Sequence, residues 1–563
     1  MKKLIPLLLI LSLLLTIVAG CGTPDASSTA PDNTDSASVS AAAPVEPEVS
    51  EQAPAEVSVT SVEESVEEAP QAEFDIYGPF HEETTVLTYW KLWPPFLEGY
   101  DPKEASLFAT LADALNVEVE VTTIGTDSAD TKFNLMVASG DYLDLIENAP
   151  SNYAGGGTKA IQDEVLVDLM PYMETYAPDY WAALQQDEIA MKTMINADDQ
   201  MAAIVSLFDQ TPVPQSGLWI RQDWLREKNM EAPSTLEDME QVLQMFKDEY
   251  GCTDAYACRE DCAIPLRDVY GAYEWSVNEQ NEVVYGYTDT RDAFRDYIAK
   301  GHEWFEKGYF SSSFVTANDT NMPKSSMIVS QQTGIFDADI LIVSEVGVLD
   351  SSIELSAVAP ITKNADDKIP ANWSSTMNGS NSASVSTNCQ HIAEAVAYMN
   401  YAFTEQAFMA VNWGTEGVTY TMENGAPQFT DLMLNNPNLP ASFTPLAYIS
   451  PGFPFLKSYD MTLASYDYPA QKSCYDIFAS KIDESLPKTA FPKDYITFTT
   501  EESEIIAQYQ SDLETYVTEC LAKFITGDMN VETDYDAFAD RLEAMGAGEI
   551  KAIYQTAYER FVG

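Results

Sequence analysis

The chain has 563 residues, of which 45% are hydrophobic and 11% aromatic, so it is large enough and apolar enough for a globular protein of two domains. Its 89 acidic residues outnumber its 29 basic residues and give a formal net charge of −60 at pH 7. A surface this acidic repels nucleic acids and anionic lipids, which argues against both as partners.

Residues 1–20 are predicted to form a lipoprotein signal peptide. Lys2 and Lys3 precede an apolar run from Leu4 to Val18, which is too short to span a membrane comfortably. The run ends in IVAGC, which resembles the lipobox of bacterial lipoproteins. In that family the cysteine, here Cys21, carries fatty acyl chains such as palmitate and anchors the protein to the membrane. The alternative is an ordinary secretory signal with a chance cysteine.

Residues 21–75 are predicted to be the lipidated cysteine and a disordered acidic linker. Between residues 22 and 73 there is no Phe, Trp or Tyr, and the first Lys or Arg after the signal peptide is Lys91. A segment rich in Ala, Ser, Pro and Glu cannot bury enough apolar surface to offset its chain entropy. We expect it to act as a solvated spacer.

The folded part opens with alternating strand and helix patterns. Strands are predicted around Val86 and Leu87, over 117–124 and over 142–148, and helices over 102–117 and 130–141. Strand, helix, strand, helix, strand at this spacing predicts a parallel sheet, whose ligands bind beyond the carboxyl ends of the strands. The candidate residues at those ends are Trp90, Trp93, Asp144 and Asn148.

A second α/β unit is predicted from about residue 217. Ser234 and Glu237 have capping-box spacing before an apolar helical pattern. Further helices are predicted over 291–308, 389–404 and 500–525, and strands over 333–343 and 353–360.

Six phrases of the folded part, in order, resemble the extracellular solute-binding protein family 1, the sugar-binding lipoproteins of bacterial ABC importers. The phrases are ASGDYLDLI, LVDLMPYMETYAPDY, WIRQDWLREKNMEAPSTLEDMEQVLQMFK, EKGYFSSSF, QQTGIFDAD and VNWGTEGVTYTMENGAPQFT. The resemblance covers essentially everything from residue 84 to the C-terminus.

The resemblance implies an α/β fold, a two-lobed periplasmic-binding-protein-like clamp with interleaved lobes and a crossover hinge. Lobe one would comprise residues 76–205 and 361–404, and lobe two residues 206–360 and 405–563. The function implied is capture of a carbohydrate, an oligosaccharide, and its delivery to ABC permease subunits. The protein would be a monomer on the extracellular face of a cell membrane, as is typical of Gram-positive bacteria.

Three cysteines lie close together in the sequence, Cys252, Cys258 and Cys262. Outside the cytoplasm this spacing allows one local disulfide, whereas a zinc site would lack a nearby histidine and a CxxC pair. Many members of the resembled branch carry a calcium loop here, but the spaced acidic ligands of such a loop are missing from this chain. A disulfide in place of calcium is therefore expected, with no metal and no cofactor.

A sugar site needs aromatic platforms for C–H faces and planar polar groups for hydroxyls. The aromatic candidates lie in loops or near turns: Trp90, Trp93, Trp373 and Trp413. The polar candidates are Asp144, Asn148, Arg221, Asp337 and Glu416. For each tryptophan, packing in the core is the alternative role. For Arg221 the alternative is a structural ion pair with Asp223.

Catalysis is not expected. Neither a GxSxG nucleophile elbow nor an HExxH motif occurs, and the three histidines lie beside no nucleophile-like motif. Paired carboxylates of a glycan hydrolase stay open as a lesser alternative, because a chain with 89 acids always offers pairs. A lipoprotein that senses a ligand for a membrane histidine kinase is the other alternative.

Overall fold

The structure is a computed structural model that describes residues 72–212, 216–258, 265–316, 324–466 and 468–563. The predicted signal peptide, Cys21 and almost all of the predicted linker lie outside these residues. In the described part of the chain no helix is long and apolar enough to cross a membrane.

The strands, numbered in chain order, form one sheet of six, one of three and three pairs. They are β1 (Thr85–Trp93), β2 (Val117–Gly125), β3 (Leu145–Glu147), β4 (Ile204–Phe208), β5 (Ser216–Arg221), β6 (Trp275–Val277), β7 (Val283–Tyr285), β8 (Ile335–Asp339), β9 (Leu355–Ala357), β10 (Ile369–Pro370), β11 (Met377–Val385), β12 (Tyr420–Glu423), β13 (Ala426–Phe429), β14 (Leu456–Lys457) and β15 (Ile482–Asp483).

The α-helices pack on both sheets, and after residue 499 the chain forms three helices and no strand. They are α1 (Ser106–Leu115), α2 (Ala129–Ser139), α3 (Ala149–Asn152), α4 (Gly156–Gln162), α5 (Met173–Tyr176), α6 (Pro178–Leu184), α7 (Glu188–Met194), α8 (Gln222–Lys228), α9 (Leu236–Tyr250), α10 (Arg267–Tyr270), α11 (Gly286–Asp289), α12 (Arg291–Glu306), α13 (Lys324–Val329), α14 (Ile342–Leu349), α15 (Ile392–Tyr401), α16 (Glu405–Asn412), α17 (Asp431–Leu434), α18 (Thr444–Tyr448), α19 (Tyr459–Ala464), α20 (Pro469–Ala479), α21 (Thr500–Thr526), α22 (Val531–Ala544) and α23 (Ala547–Val562).

The six-stranded sheet contains the predicted parallel strands. β1 pairs in parallel with β2 on one side and with β3 on the other. Val117 and Val119 of β2 are buried and the glutamates beside them are exposed, as the period of two requires. The remaining strands give the order β14-β4-β11-β3-β1-β2, in which β11 lies antiparallel to both of its neighbours. The sheet is therefore mixed rather than purely parallel.

The smaller sheet has the order β8-β5-β9, with β5 antiparallel to both neighbours. The strand predicted over 333–343 ends at Asp339, and its last residues belong to α14 instead. The capping box of α9 lies one residue later than predicted. Thr235 is the N-cap, with an extended backbone, and its side chain accepts from the Asp238 N–H while the Asp238 carboxylate accepts from the Thr235 N–H.

Two large apolar cores pack against the two sheets. The first core, which includes Leu87 and Leu145, lies against the six-stranded sheet, and the second core, which includes Leu218 and Ile335, lies against the three-stranded sheet. The chain passes between the two cores three times. The first passage joins β4 to β5, the second joins β9 to β11 through residues 358–376, and the third leads from β14 to α20. The α/β fold with interleaved lobes is therefore confirmed.

The limits of the lobes implied by the resemblance need one change. Ala407, Val411, Phe453 and Phe455 pack in the first core. Because β14 also extends the first sheet, we propose that lobe one includes most of residues 405–457 instead of ending at residue 404.

A buried ion pair joins the ends of β1 and β3. The Nζ atom of Lys91 lies 2.6 and 2.7 Å from the two carboxylate oxygens of Glu147 and also donates to the carbonyl of Leu92 at 3.0 Å. Burial lowers the pKa of Lys91 and raises that of Glu147, and each charge opposes the effect on the other. The positive φ of Gly452 lets its backbone lie against this pair, where a Cβ atom would be 3.0 Å from Glu147.

Lys91→Met should destabilise the protein by about 3–5 kcal/mol, because it leaves the Glu147 carboxylate buried without a counter-charge. Urea unfolding of the variant and the wild type measures the loss. A Lys91→Met/Glu147→Met double variant should lose less, since no buried charge remains. Lys159→Met, which breaks an exposed pair with Asp163, is the control and should show no comparable loss. A Lys91 variant as stable as this control would contradict the expectation.

Candidate functional site

An open cavity of about 620 Å³ lies beside the three-stranded sheet and the second passage between the lobes. Its apolar wall includes Leu218, Val358 and the ring of Phe478. This ring packs so close to β5 that a Cβ on Gly217 would lie 2.6 Å from it. Its lining residues belong to lobe two and to the second passage. An apolar wall next to polar groups in a concave site is typical of small-molecule sites.

The polar groups of this cavity come mainly from β8. Asp337 and Asp339 lie two residues apart and therefore face the same side of the strand. Asp337 accepts a hydrogen bond from the hydroxyl of Tyr256 at 3.3 Å. Burial by the cavity walls raises the pKa of Asp339, against the effect of the Leu341 N–H group, which donates to its carboxylate at 2.9 Å. Two carboxylates can thus accept hydrogen bonds from ligand hydroxyls.

Among the predicted site residues, Asp337 lines this cavity and Trp93 lines a second one. Trp93 ends β1, with 9% of its surface exposed, and its Nε1 donates to the Leu97 carbonyl at 3.0 Å. The second cavity, of about 540 Å³, lies at the carboxyl ends of β1 and β2 and also includes Tyr100. The structure does not place the two residues in one pocket.

Three of the predicted tryptophans pack against protein groups. Trp90 is 3% exposed and lies edge-on to Phe133. Trp413 is 5% exposed and packs against Phe429, with ring centroids 4.9 Å apart. Trp373 lies in the second passage, where its Nε1 donates to the Ala490 carbonyl at 2.8 Å. These contacts favour packing roles, and ligand contact by these residues stays a prediction.

The placement predicted for Asp144 is wrong, because this residue precedes β3 and lies at its amino end. Its carboxylate accepts hydrogen bonds from the main chain and hydroxyl of Thr88, at 2.8 and 2.7 Å, and so ties β3 to β1. Asn148 does follow β3, at the carboxyl end. Its side-chain oxygen accepts from the main chain and hydroxyl of Ser382, at 3.2 and 3.0 Å.

The guanidinium of Arg221 is held by protein groups. Its Nε and one terminal nitrogen donate to the Asp223 carboxylate at 2.9 and 2.6 Å, and its plane lies 3.9 Å from the ring centroid of Trp224. The alternative role foreseen for Arg221, an ion pair with Asp223, is therefore present. Glu416 is exposed in the turn before β12, away from both cavities.

The cysteine and metal expectations concern a loop that is only partly described. Cys252 is a buried free thiol, and burial raises its pKa to about 12. Cys262 lies outside the described residues, so the disulfide stays a prediction. Among the residues that the structure describes, no group of three or more His, Cys, Asp or Glu is placed to hold a metal ion.

No protein-family model matches the chain. Two curated proteins are similar over most of its length. Lipoprotein LipO of Bacillus subtilis is 22% identical over 526 residues, which cover 87% of this chain and 97% of LipO. The fructooligosaccharide ABC transporter substrate-binding protein FusA of Streptococcus pneumoniae is 21% identical over 505 residues, which cover 83% of this chain and 88% of FusA.

Solved structures show the same likeness in three dimensions. FusA in complex with kestose superposes with a TM-score of 0.65 at 17% identity, covering 85% of this chain and 99% of that structure. The alginate-binding protein AlgQ2 superposes with a TM-score of 0.64 at 18% identity, covering 87% and 100%. The chain has the α/β fold of solute-binding proteins. The predicted resemblance to family 1 is confirmed.

Lys457 was missed by sequence reasoning although it lies where the third passage leaves the first sheet. In β14 it stands opposite Phe208, and its ammonium is 5.0 Å from the centre of that ring. It forms no ion pair with any residue in the described ranges. Burial alone lowers its pKa from 10.5 to about 8. The neighbouring residues in the sequence do not distinguish this lysine from an exposed one.

Lys457→Met should stabilise the protein at pH 7 by about 1–3 kcal/mol, because it removes a half-buried charge that has no counter-charge among the described residues. The folded-state pKa lies below the unfolded one, so wild-type stability rises between pH 8 and 10.5 as the lysine loses its proton, and the gain from the substitution shrinks. Urea unfolding at pH 7 and pH 9.5, with the exposed Lys363→Met as control, measures both effects. A variant less stable than the wild type at pH 7 would show that the ammonium makes a favourable contact.

Proposed function

We propose that the protein is an extracellular solute-binding protein that captures an oligosaccharide between its lobes and delivers it to the permease subunits of an ABC transporter. The observation that carries the proposal is the cavity on lobe two beside the second passage, with an apolar wall and two carboxylates, in a chain with the fold of FusA and AlgQ2. Such proteins bind and release their ligand unchanged, so no catalytic residue is assigned.

The chemistry of this cavity suits a sugar. The Phe478 ring and the side chains of Leu218 and Val358 can cover the C–H face of a pyranose or furanose. Asp337 and Asp339 can each accept hydrogen bonds from hydroxyl groups. The relatives support the ligand class, since FusA is a fructooligosaccharide-binding protein and AlgQ2 an alginate-binding protein.

Thermal unfolding in the presence of sugars tests the ligand class. Kestose, an alginate trisaccharide and an oligomannose glycan form the panel, with a tripeptide for comparison. A sugar present at a hundred times its dissociation constant should add about 2.7 kcal/mol of stability. Stabilisation by the peptide and by none of the sugars would contradict the carbohydrate assignment.

Asp337→Asn should weaken binding of the best sugar about tenfold, since a hydrogen bond from a hydroxyl to a carboxylate becomes one to a neutral amide. Isothermal titration calorimetry measures the change. Asp113→Asn replaces an exposed acid on α1 and serves as the matched control. If the two variants bind the sugar with equal affinity, the sugar binds outside this cavity.

The likeness to a lipoprotein supports attachment to the outer face of the membrane, and we propose Cys21 as the attachment point. Cys21→Ala should move the protein from the membrane fraction to the medium, because its acyl chains hold it on the bilayer. Immunoblots of the two fractions measure the shift, and sugar binding of the released protein should equal that of the wild type. A variant that stays in the membrane fraction would rule out this anchor.

A further inference from the structure

A partly open cavity of about 290 Å³ lies inside the second core, between the β6–β7 hairpin and helices α12, α21 and α23. A cavity of roughly 150 Å³ is enough to hold benzene. This one therefore has room for a phenyl ring with a short substituent. No predicted site residue lines it, and the sugar proposed above would bind elsewhere.

Aromatic rings form most of one wall. Trp275 stacks on Tyr285 with centroids 4.3 Å apart and lies 4.6 Å from Tyr554. Tyr287 and Phe294 continue the wall, with centroids 4.4 Å apart. The faces of such rings carry negative electrostatic potential and attract organic cations.

Three tyrosine hydroxyls in this wall have no hydrogen-bond partner among the residues that the structure describes. Tyr285, Tyr287 and Tyr554 are 3%, 7% and 4% exposed and line the cavity. Their hydroxyls form no hydrogen bond with any residue in the described part of the chain. Buried polar groups are almost always hydrogen-bonded. A molecule inside the cavity that bears N–H groups could donate to these oxygens.

The charges of carboxylates act on two of these hydroxyls, those of Tyr285 and Tyr554. Glu274 and Glu514 line the mouth of the cavity. Burial raises the pKa of Tyr285 and Tyr554, and the charges of these two carboxylates raise both further. Arg267 and Lys493 also line the mouth, and the charge of Arg267 opposes the effect of burial on the pKa of Tyr287.

We propose that this cavity binds a small organic ammonium ion, with its hydrocarbon part against the aromatic wall and its N–H groups directed to the tyrosine oxygens and to Glu274 and Glu514. The faces of the rings, the tyrosine oxygens and the Glu274 and Glu514 charges that act on Tyr285 and Tyr554 favour a cation. This inference does not rest on the proposed carbohydrate function, because the two cavities are built from different walls.

Three probes that share a phenyl ring test the charge preference. They are 2-phenylethylammonium, the uncharged 2-phenylethanol and the anion phenylacetate, each titrated into the full chain in a calorimeter. The ammonium ion should bind at least about tenfold more tightly than the alcohol, and phenylacetate more weakly than either. Equal binding of ammonium and alcohol, tighter binding of phenylacetate, or no binding of the ammonium ion at millimolar concentration would overturn the proposal.

Variants locate the binding. Glu274→Gln and Glu514→Gln should each weaken ammonium binding several-fold and leave the alcohol unaffected, whereas Glu504→Gln, an exposed acid on the same helix as Glu514, should change neither. Val517→Phe should fill the cavity and abolish binding of all three probes. If the melting curve shows that this variant does not fold, Ile298→Phe fills the cavity from the opposite helix. Ammonium binding that survives a folded cavity-filling variant would place the site elsewhere.

Discussion

The short pairing of β14 with β4 is the constraint on which the two-lobed arrangement depends. The Leu207 N–H donates to the Phe455 carbonyl at 3.2 Å, and the Asp209 N–H donates to the Lys457 carbonyl at 2.9 Å. Parallel strands end at the same edge of a sheet, so the first passage, after β4, and the third passage, after β14, leave the first lobe at the same place. The returning passage reaches it too, because the Phe208 N–H donates to the Thr376 carbonyl at 2.7 Å. All three passages therefore meet at the end of β4.

The second passage is fixed to both lobes at positions only a few residues apart. Asp187, at the N-cap of α7 in the first lobe, accepts from the hydroxyl of Ser375 at 2.8 Å and from that of Thr376 at 2.9 Å. On the other side, Ile369 pairs with β15 and Trp373 donates to Ala490. Residue 373 is therefore bound to lobe two and residue 375 to lobe one. In this passage, any relative rotation of the lobes must be absorbed between these two residues. The proposed sugar cavity adjoins this passage through Ile369 and Asn372, on the side attached to lobe two.

Sequence reasoning succeeded where a pattern is complete within about fifteen residues. The buried faces of α1 and β2 follow from their own periodicity, and Gly140 ends α2 in the left-handed conformation that favours glycine. It failed where the partner is distant in sequence. The antiparallel pairing of β11 with β3 joins residues more than two hundred positions apart, and no local sequence pattern predicts it. Trp413 looked like a loop residue because the β12–β13 strands that bury it lie further along the chain.

Two buried lysines and one half-buried lysine of the described residues lie around the junction of the lobes, in a chain of net charge −60. Lys91 is held by Glu147 beside Gly452, shortly before β14. Lys481 donates to the Ser234 carbonyl at 2.8 Å and to the Thr362 hydroxyl at 2.7 Å, at the start of the second passage. At the third passage, the ammonium group of Lys457 lies over the Phe208 ring and has no ion pair within the described residues. Repulsion between two acidic lobes is greatest when they close, so cations at the junction offset it where the lobes are nearest.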